Sequence, residues 1–305
     1  MSIGESLQPS RLSPLGLMLL VWALAWSQTV AASPAIRIAP GAGSFLFVDE
    51  KGDATKAITV YTYLPRRVKA NEAPIVFVLH GHHRTAKGYR DNWALHADKY
   101  GFMVLAPLFD PEQWGGGEYS YASVVGRDGK IRDASMWSYS VIEHLFDAIK
   151  AATGNASPRY FLYGFSEGGQ FVHRLVLLLP EARYARAVAG TPGWYTMPRF
   201  DSKFPYGLGG SPVTEASLKT SLGRDVVLML GDKDTDPNDP GLRKTRQALA
   251  QGAHRFARGQ VFFKATEDRA AALKAAFGWR LQVVPGVAHE PKKMSGPAAA
   301  VLMGP

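Results

Sequence analysis

The sequence predicts an α/β protein, built on a mostly parallel central sheet with helices on both faces. Three observations carry that expectation. Short, nearly continuous runs of Val, Ile and Leu recur along the chain, as strands buried on both faces require. Longer segments with apolar residues at helical intervals separate them. At one strand-to-helix junction stands Gly164-Phe165-Ser166-Glu167-Gly168, a serine in a sharp glycine-bounded turn.

The elements follow in order. Residues 57–64 (AITVYTYL) and 74–79 (PIVFVL) read as strands, 87–100 as a helix and 102–108 as a strand. Residues 137–152 space Val141, Ile142, Leu145, Phe146 and Ile149 at helical intervals. A strand is expected at 159–163, a helix at 169–179 and another strand at 185–189. Residues 225–230 (DVVLML) and 279–284 (WRLQVV) complete the set. Two irregular stretches interrupt it. Residues 110–136 carry Gly115 to Gly117 with Trp114, Tyr119 and Tyr121, and residues 191–221 carry Trp194, Tyr195, Phe200, Phe204 and Tyr206. Loops of this length are functional or disordered as a rule, and their aromatic content argues against disorder. Trp114, Tyr119 and Trp194 are candidates for lining a substrate pocket, with ordinary packing as the alternative.

Composition narrows the class. The chain has 305 residues, 46% hydrophobic and 20% charged, which excludes disordered, collagen-like and coiled-coil proteins. Zero cysteines exclude a disulfide scaffold, a cysteine-ligated metal and a thiol nucleophile. The net charge of +9 is spread along the chain. Its densest part (Arg243, Lys244, Arg246, Arg255 and Arg258) lacks interleaved aromatics and reads as a solvated helix face, so nucleic-acid binding is not expected.

The N-terminus reads as an address. Leu15 to Trp26 is an apolar run of 12 residues behind Arg11, and Val30-Ala31-Ala32 fits a signal-peptidase site. The run is short for a membrane span of about 20 residues. Residues 1–32 are therefore expected to be a signal peptide cleaved after Ala32. An uncleaved anchor is the alternative; either way the body of the protein crosses a membrane to the periplasm or beyond. Removal takes one Arg and one Glu and leaves the charge unchanged. Residues 33–305 are expected to form one domain, with no stable membrane insertion after cleavage.

The serine turn carries the chemistry. In G-x-S-x-G between a strand and a helix, the residues two before and two after the serine must be small for the two elements to pack. The turn projects Ser166 above the strand ends. It also sets the N–H of Glu167 at a helix N-terminus, where partial positive charge can hold an oxyanion. In this context the sequence resembles the α/β-hydrolase family over nearly all of residues 58–301. That family orders its triad as Ser, then Asp or Glu, then His, each following a strand. Among the eight histidines, His96, His144, His173 and His254 fall in predicted helices, and His80, His82 and His83 precede the serine. Only His289 follows the last strand, where the resemblance requires the base. After the strand at 225–230 the chain reads Gly231-Asp232-Lys233-Asp234-Thr235-Asp236. The family's G-x-x-D pattern selects Asp234 as the acid and leaves Asp232 and Asp236 open. Asp239, before Pro240, reads as a helix N-cap. In the family a His-Gly pair such as His80-Gly81 turns the chain, and the next N–H, here that of His82, completes the oxyanion hole. A metal site is the alternative use of these histidines, but the H-x-H-x-D-H pattern fails at Arg84 and Thr85.

These residues together predict acyl transfer without a cofactor, since no phosphate-cradling or dinucleotide-binding motif is present. The resemblance extends to secreted esterases of the polyhydroxybutyrate depolymerase and feruloyl esterase group. It implies a small or polymeric ester substrate, polyester or aryl ester among them. Two other readings stand: a serine peptidase on the same fold, and a binding protein whose triad is incidental.

Overall fold

Along Ile75–Leu79 (β3) consecutive side chains enter opposite cores. Ile75, Phe77 and Leu79 pack into one cluster, Val76 and Val78 into the other, and all five are buried. That is why the strand reads as an unbroken apolar run: a sheet covered on both faces has no polar side. The structure, a computed structural model, describes Met1 and residues 35–115, 117–126 and 128–304. The chain divides into two units, Met1–Ala32 and Ser33–Pro305. The expected signal peptide lies outside the described residues apart from Met1, and the sheet with all its helices belongs to the second unit.

Eight strands make one sheet in the order β1-β2-β4-β3-β5-β6-β7-β8. They are β1 (Gly41–Phe47), β2 (Ile58–Leu64), β3, β4 (Met103–Leu108), β5 (Tyr160–Phe165), β6 (Tyr184–Gly190), β7 (Val226–Gly231) and β8 (Trp279–Val284). From β4 to β8 neighbours are parallel, whereas β2 runs antiparallel to both β1 and β4. Helices α1 (Ala86–Tyr100) and α7 (Pro291–Met303) supply the core on one face through Trp93, Ala97, Met294 and Ala298. On the other face α2 (Ser138–Thr153), α3 (Glu167–Leu178), α4 (Glu215–Leu222) and α6 (Arg255–Ala272) supply Leu145, Phe171, Leu218 and Phe262. A single turn, α5 (Arg246–Leu249), precedes α6. The predicted fold class holds.

Several elements differ from expectation for identifiable reasons. β1 is an edge strand with two glycines and mostly exposed residues, so it carries no continuous apolar run. α4 lies inside the stretch expected to be irregular; Thr214 and Ser217 cap it reciprocally, a box closed by serine where Glu or Gln is usual. The loop at 110–136 is irregular in backbone yet packed: Tyr119 is fully buried, and the hydroxyls of Ser138 and Tyr139 donate to the carbonyls of Tyr119 and Ser120. The basic stretch is not one solvated face. Arg243 and Lys244 are exposed, but Arg255 and Arg258 of α6 are buried. Arg258 is held because the carbonyls of Gly252, Gly193 and Arg243 accept its donors at 2.9, 2.8 and 2.9 Å. His254 caps α6 through Nδ1, which accepts from Ala257 N–H at 3.2 Å, instead of lying within a helix.

Two imidazoles are wholly buried and neutral. Nε2 of His80 accepts the N–H of Phe109 at 3.1 Å, so Nδ1 carries the proton and donates to Gly81 O at 3.0 Å. His173 repeats this, accepting from Thr196 N–H and donating to Gly169 O. Burial lowers His80 from 6.5 to about 3 and holds His173 well below its ordinary value. The unfolded chain therefore binds protons at these sites that the folded protein refuses. Their contribution is complete above pH 6.5 and is lost as pH falls from there towards 3, by up to about 1.4 kcal/mol per pH unit for each group. Thermal unfolding between pH 7 and 4 should show a smaller drop in melting temperature for His80→Gln than for the wild type, from a lower starting value.

Candidate active site

The carboxyl ends of β3, β5, β6, β7 and β8 meet at one edge of the sheet, the side where open α/β sheets place their ligands. β5 delivers Ser166 there. Its backbone sits at φ 58°, ψ −113°, a conformation that costs a non-glycine residue on the order of 1–3 kcal/mol and persists only when its surroundings impose it. What imposes it is contact between backbones. A Cβ on Gly164 would overlap Gly168 O, and one on Gly168 would overlap Leu79 O and lie 2.8 Å from His80 O. Ser166 N–H donates to Gly190 O at 2.8 Å and fixes the turn to β6.

His289, in the loop after β8, lies between Ser166 and Asp234. Its Nδ1 is 2.7 Å from Asp234 Oδ2 and its Nε2 is 2.9 Å from Ser166 Oγ. A carboxylate only accepts, so Nδ1 carries the proton and Nε2 is the free base facing the serine hydroxyl. The ring packs on Phe165 with centroids 4.7 Å apart. The three aspartates left open by the sequence are separated by their partners. Asp232 Oδ1 accepts Gly286 N–H at 2.7 Å and thereby shapes the loop that carries His289. Asp236 Oδ1 accepts Asn238 N–H at 2.8 Å in an exposed turn. Only Asp234, 4% exposed, faces the imidazole.

Asp234 has a partner the sequence did not suggest. Arg255 Nη1 is 3.3 Å from Asp234 Oδ1, and its Nη2 is 2.9 Å from Asp239 Oδ1. Asp239 is therefore not a helix N-cap. It closes a short turn by accepting Gly241 N–H at 2.7 Å, and no helix starts at Pro240. Arg255 lies 21 residues from Asp234, and no local spacing rule links them.

Opposite His289 is the segment Gly81–Arg84. Gly81 packs against Ser166, to which an added Cβ would come within 3.4 Å. His82 N–H donates to no described residue, and Glu167 N–H, first in α3, has no intrahelical acceptor. The Glu167 carboxylate turns back to this segment: Oε2 is 3.5 Å from both His82 Nδ1 and Arg84 Nη2. Arg84 also donates to Phe109 O at 3.0 Å and lies over the Tyr119 ring. His80 faces the core, while His82 and His83 are exposed, so the three imidazoles do not converge on a metal.

The three aromatic candidates are buried. Tyr119 donates to His80 O at 2.8 Å beneath Gly81. Trp114 packs edge-on against Phe109. Trp194, 3% exposed, is flanked by the guanidinium groups of Arg174 and Arg243 at 4.2 and 5.0 Å.

A strand order reversing about β3, a strained serine at the head of α3 and a histidine after the last strand define the class of α/β hydrolases. No protein-family model and no curated protein matches the chain. Solved structures do. Poly(aspartic acid) hydrolase-1 from Sphingomonas sp. KT-1 is 41% identical, covering 87% of this chain and 99% of its own, with a TM-score of 0.84. The poly(3-hydroxybutyrate) depolymerase LpqC from Bordetella parapertussis is 35% identical, covering 86% and 90%, with a TM-score of 0.82. A fluorophosphonate-binding serine hydrolase from Staphylococcus aureus, 14% identical with a TM-score of 0.56, covers 88% of this chain and 100% of its own and shares the fold alone. This chain belongs to the α/β-hydrolase family.

The elbow geometry can be tested apart from chemistry. Gly168→Ala should destabilise the protein by about 1–3 kcal/mol through overpacking against Leu79 and His80. That is a loss of several degrees in melting temperature, measurable by circular dichroism.

Proposed function

We propose that this protein is a serine hydrolase of carboxylic esters, acting through an acyl-enzyme, with Ser166 as nucleophile, His289 as base and Asp234 as acid. The observation that carries the reading is the hydrogen-bond chain Ser166–His289–Asp234 at 2.9 and 2.7 Å, headed by a strained serine. Ser166 Oγ attacks the ester carbonyl as His289 Nε2 takes its proton. Asp234 stabilises the imidazolium and holds its tautomer. The N–H groups of His82 and Glu167 receive the negative oxygen. The imidazolium then protonates the leaving alcohol. Water, deprotonated by the same nitrogen, releases the acid and regenerates the serine. No cofactor enters this scheme.

We further propose that residues 1–32 direct export and that the working protein begins at Ser33. Among the described residues no helix is long and apolar enough to cross a membrane. N-terminal sequencing of protein recovered outside the cytoplasm should start at Ser33; an intact leader there would overturn this part.

A second reading concerns the bond. The 41% identical structure is a poly(aspartic acid) hydrolase, and this chain carries a net charge of +9. The first favours an amide bond, cleaved by the same serine, and the second is compatible with an anionic polymer as substrate.

A fluorophosphonate probe should label the wild type at Ser166, lose the label in Ser166→Ala, and react far more slowly with His289→Ala. Hydrolysis should fall at least about 10³-fold in each variant, and strongly in Asp234→Asn, with Asp232→Asn and Asp236→Asn much less affected. No labelling of folded wild type would refute the serine mechanism. Side-by-side assays on p-nitrophenyl esters of increasing chain length, polyhydroxybutyrate and poly(aspartic acid) separate the two bonds: turnover of the last alone would replace the ester reading with the amide one.

A further inference from the structure

Behind the proposed acid lies an ion cluster that the reaction scheme does not use. Asp234 Oδ2 is engaged by His289, and its other oxygen meets Arg255. The second arm of the same guanidinium binds Asp239. Side-chain exposure is 5% for Arg255 and 4% for Asp234, against 28% for Asp239. Arg255 Nε has no hydrogen-bond partner among the described residues, so this buried cation is balanced through its two forked nitrogens. The backbone reinforces the arrangement. Arg255 opens α6, and Phe256 N–H donates to Asp234 O at 3.1 Å, which turns the positive end of an 18-residue helix towards the acid.

The electrostatics have a defined sign. A base next to one carboxylate gains proton affinity, and a cation at the carboxylate's far side takes part of that gain away. A second carboxylate on the cation restores it. We infer that Arg255 and Asp239 are positioning residues that set the proton affinity of His289 through Asp234, Arg255 lowering it and Asp239 raising it. The inference rests on the proposed roles of Ser166, His289 and Asp234. Arg255 holds Asp239 down to about 2, so Asp239 keeps its negative charge beside the guanidinium throughout the working range.

The other charged groups around His289 are balanced or exposed. Glu290, on its own loop, pairs with Lys293 of α7 at 2.8 Å. Glu167 of α3 faces Arg84 and His82 across 3.5 Å. Lys233 and Asp236, on the turn after β7, are exposed. None of them bridges Asp234, so removing either member of the cluster changes the charge at His289 in one direction.

The test is the pH dependence of kcat/KM on an ester substrate, read at the acid limb, where the free base must be unprotonated. Asp239→Asn removes a negative charge at constant shape and should move the limb to lower pH by about 0.5–1 unit, below the 1–3 units of direct contact. Arg255→Gln should move it to higher pH by a similar amount. Arg255→Lys keeps the charge but not the fork; it should lower kcat while leaving the limb in place. A merely structural role would reduce activity in all three without moving the limb in opposite directions. If Arg255→Gln fails to fold, Asp239→Asn decides, since its side chain is the most exposed of the three. Limbs unchanged from wild type, in protein still labelled at Ser166 by fluorophosphonate, would overturn the inference and leave the serine mechanism standing. Unlabelled, inactive wild type would refute the mechanism and this inference together.

Discussion

β5 and α3 meet backbone to backbone at Gly164 and Gly168, and α3 lies equally close to the end of β3 at Leu79 and His80. No side chain fits at these contacts. The chain can turn from strand to helix there only by driving Ser166 to positive φ, and this lifts its hydroxyl to the edge where five strands end. The same closeness brings Gly81, next to His82, against Ser166. Backbone strain at Ser166, the placement of its hydroxyl and the approach of the Gly81 segment are thus consequences of one steric constraint.

Around that point the structure uses buried polar groups as struts. His80 is neutral at the end of β3 and ties Phe109 to Gly81, while the Tyr119 hydroxyl supports its carbonyl from below. Arg84 joins the same segment to Phe109 and to Glu167. The long loop after β4 therefore supports the segment opposite His289 from within the core. Its aromatic residues Trp114 and Tyr119 pack against Phe109, and side chains beneath a turn of irregular backbone help it hold one conformation.

Charge follows a similar logic. Of the basic residues that looked like one solvated face, Arg258 binds three carbonyls that secondary structure leaves without partners, and Arg255 braces two carboxylates. A buried guanidinium is tolerated where its planar donors find that many acceptors. The total of +9 thus overstates the cationic surface, since part of it is internal.

Sequence alone determined the fold class, the parallel strands, the serine turn and the late histidine. Those features arise from local steric rules and from a burial pattern that repeats along each element: β3 and β7 are apolar throughout because both their faces are covered. It was silent on β1, whose solvated edge leaves no apolar run, and on α4, whose capping box is closed by a serine where Glu or Gln is usual. The G-x-x-D spacing favoured Asp234, and tertiary structure separated it from Asp232 and Asp236. Adjacent turn residues of one type differ only in what the loop after β8 presents to them, namely Gly286 N–H to the first and His289 to the second. It alone also brought Arg255 and Asp239 behind Asp234, since a guanidinium reaches two carboxylates through space, and sequence separation does not limit that reach.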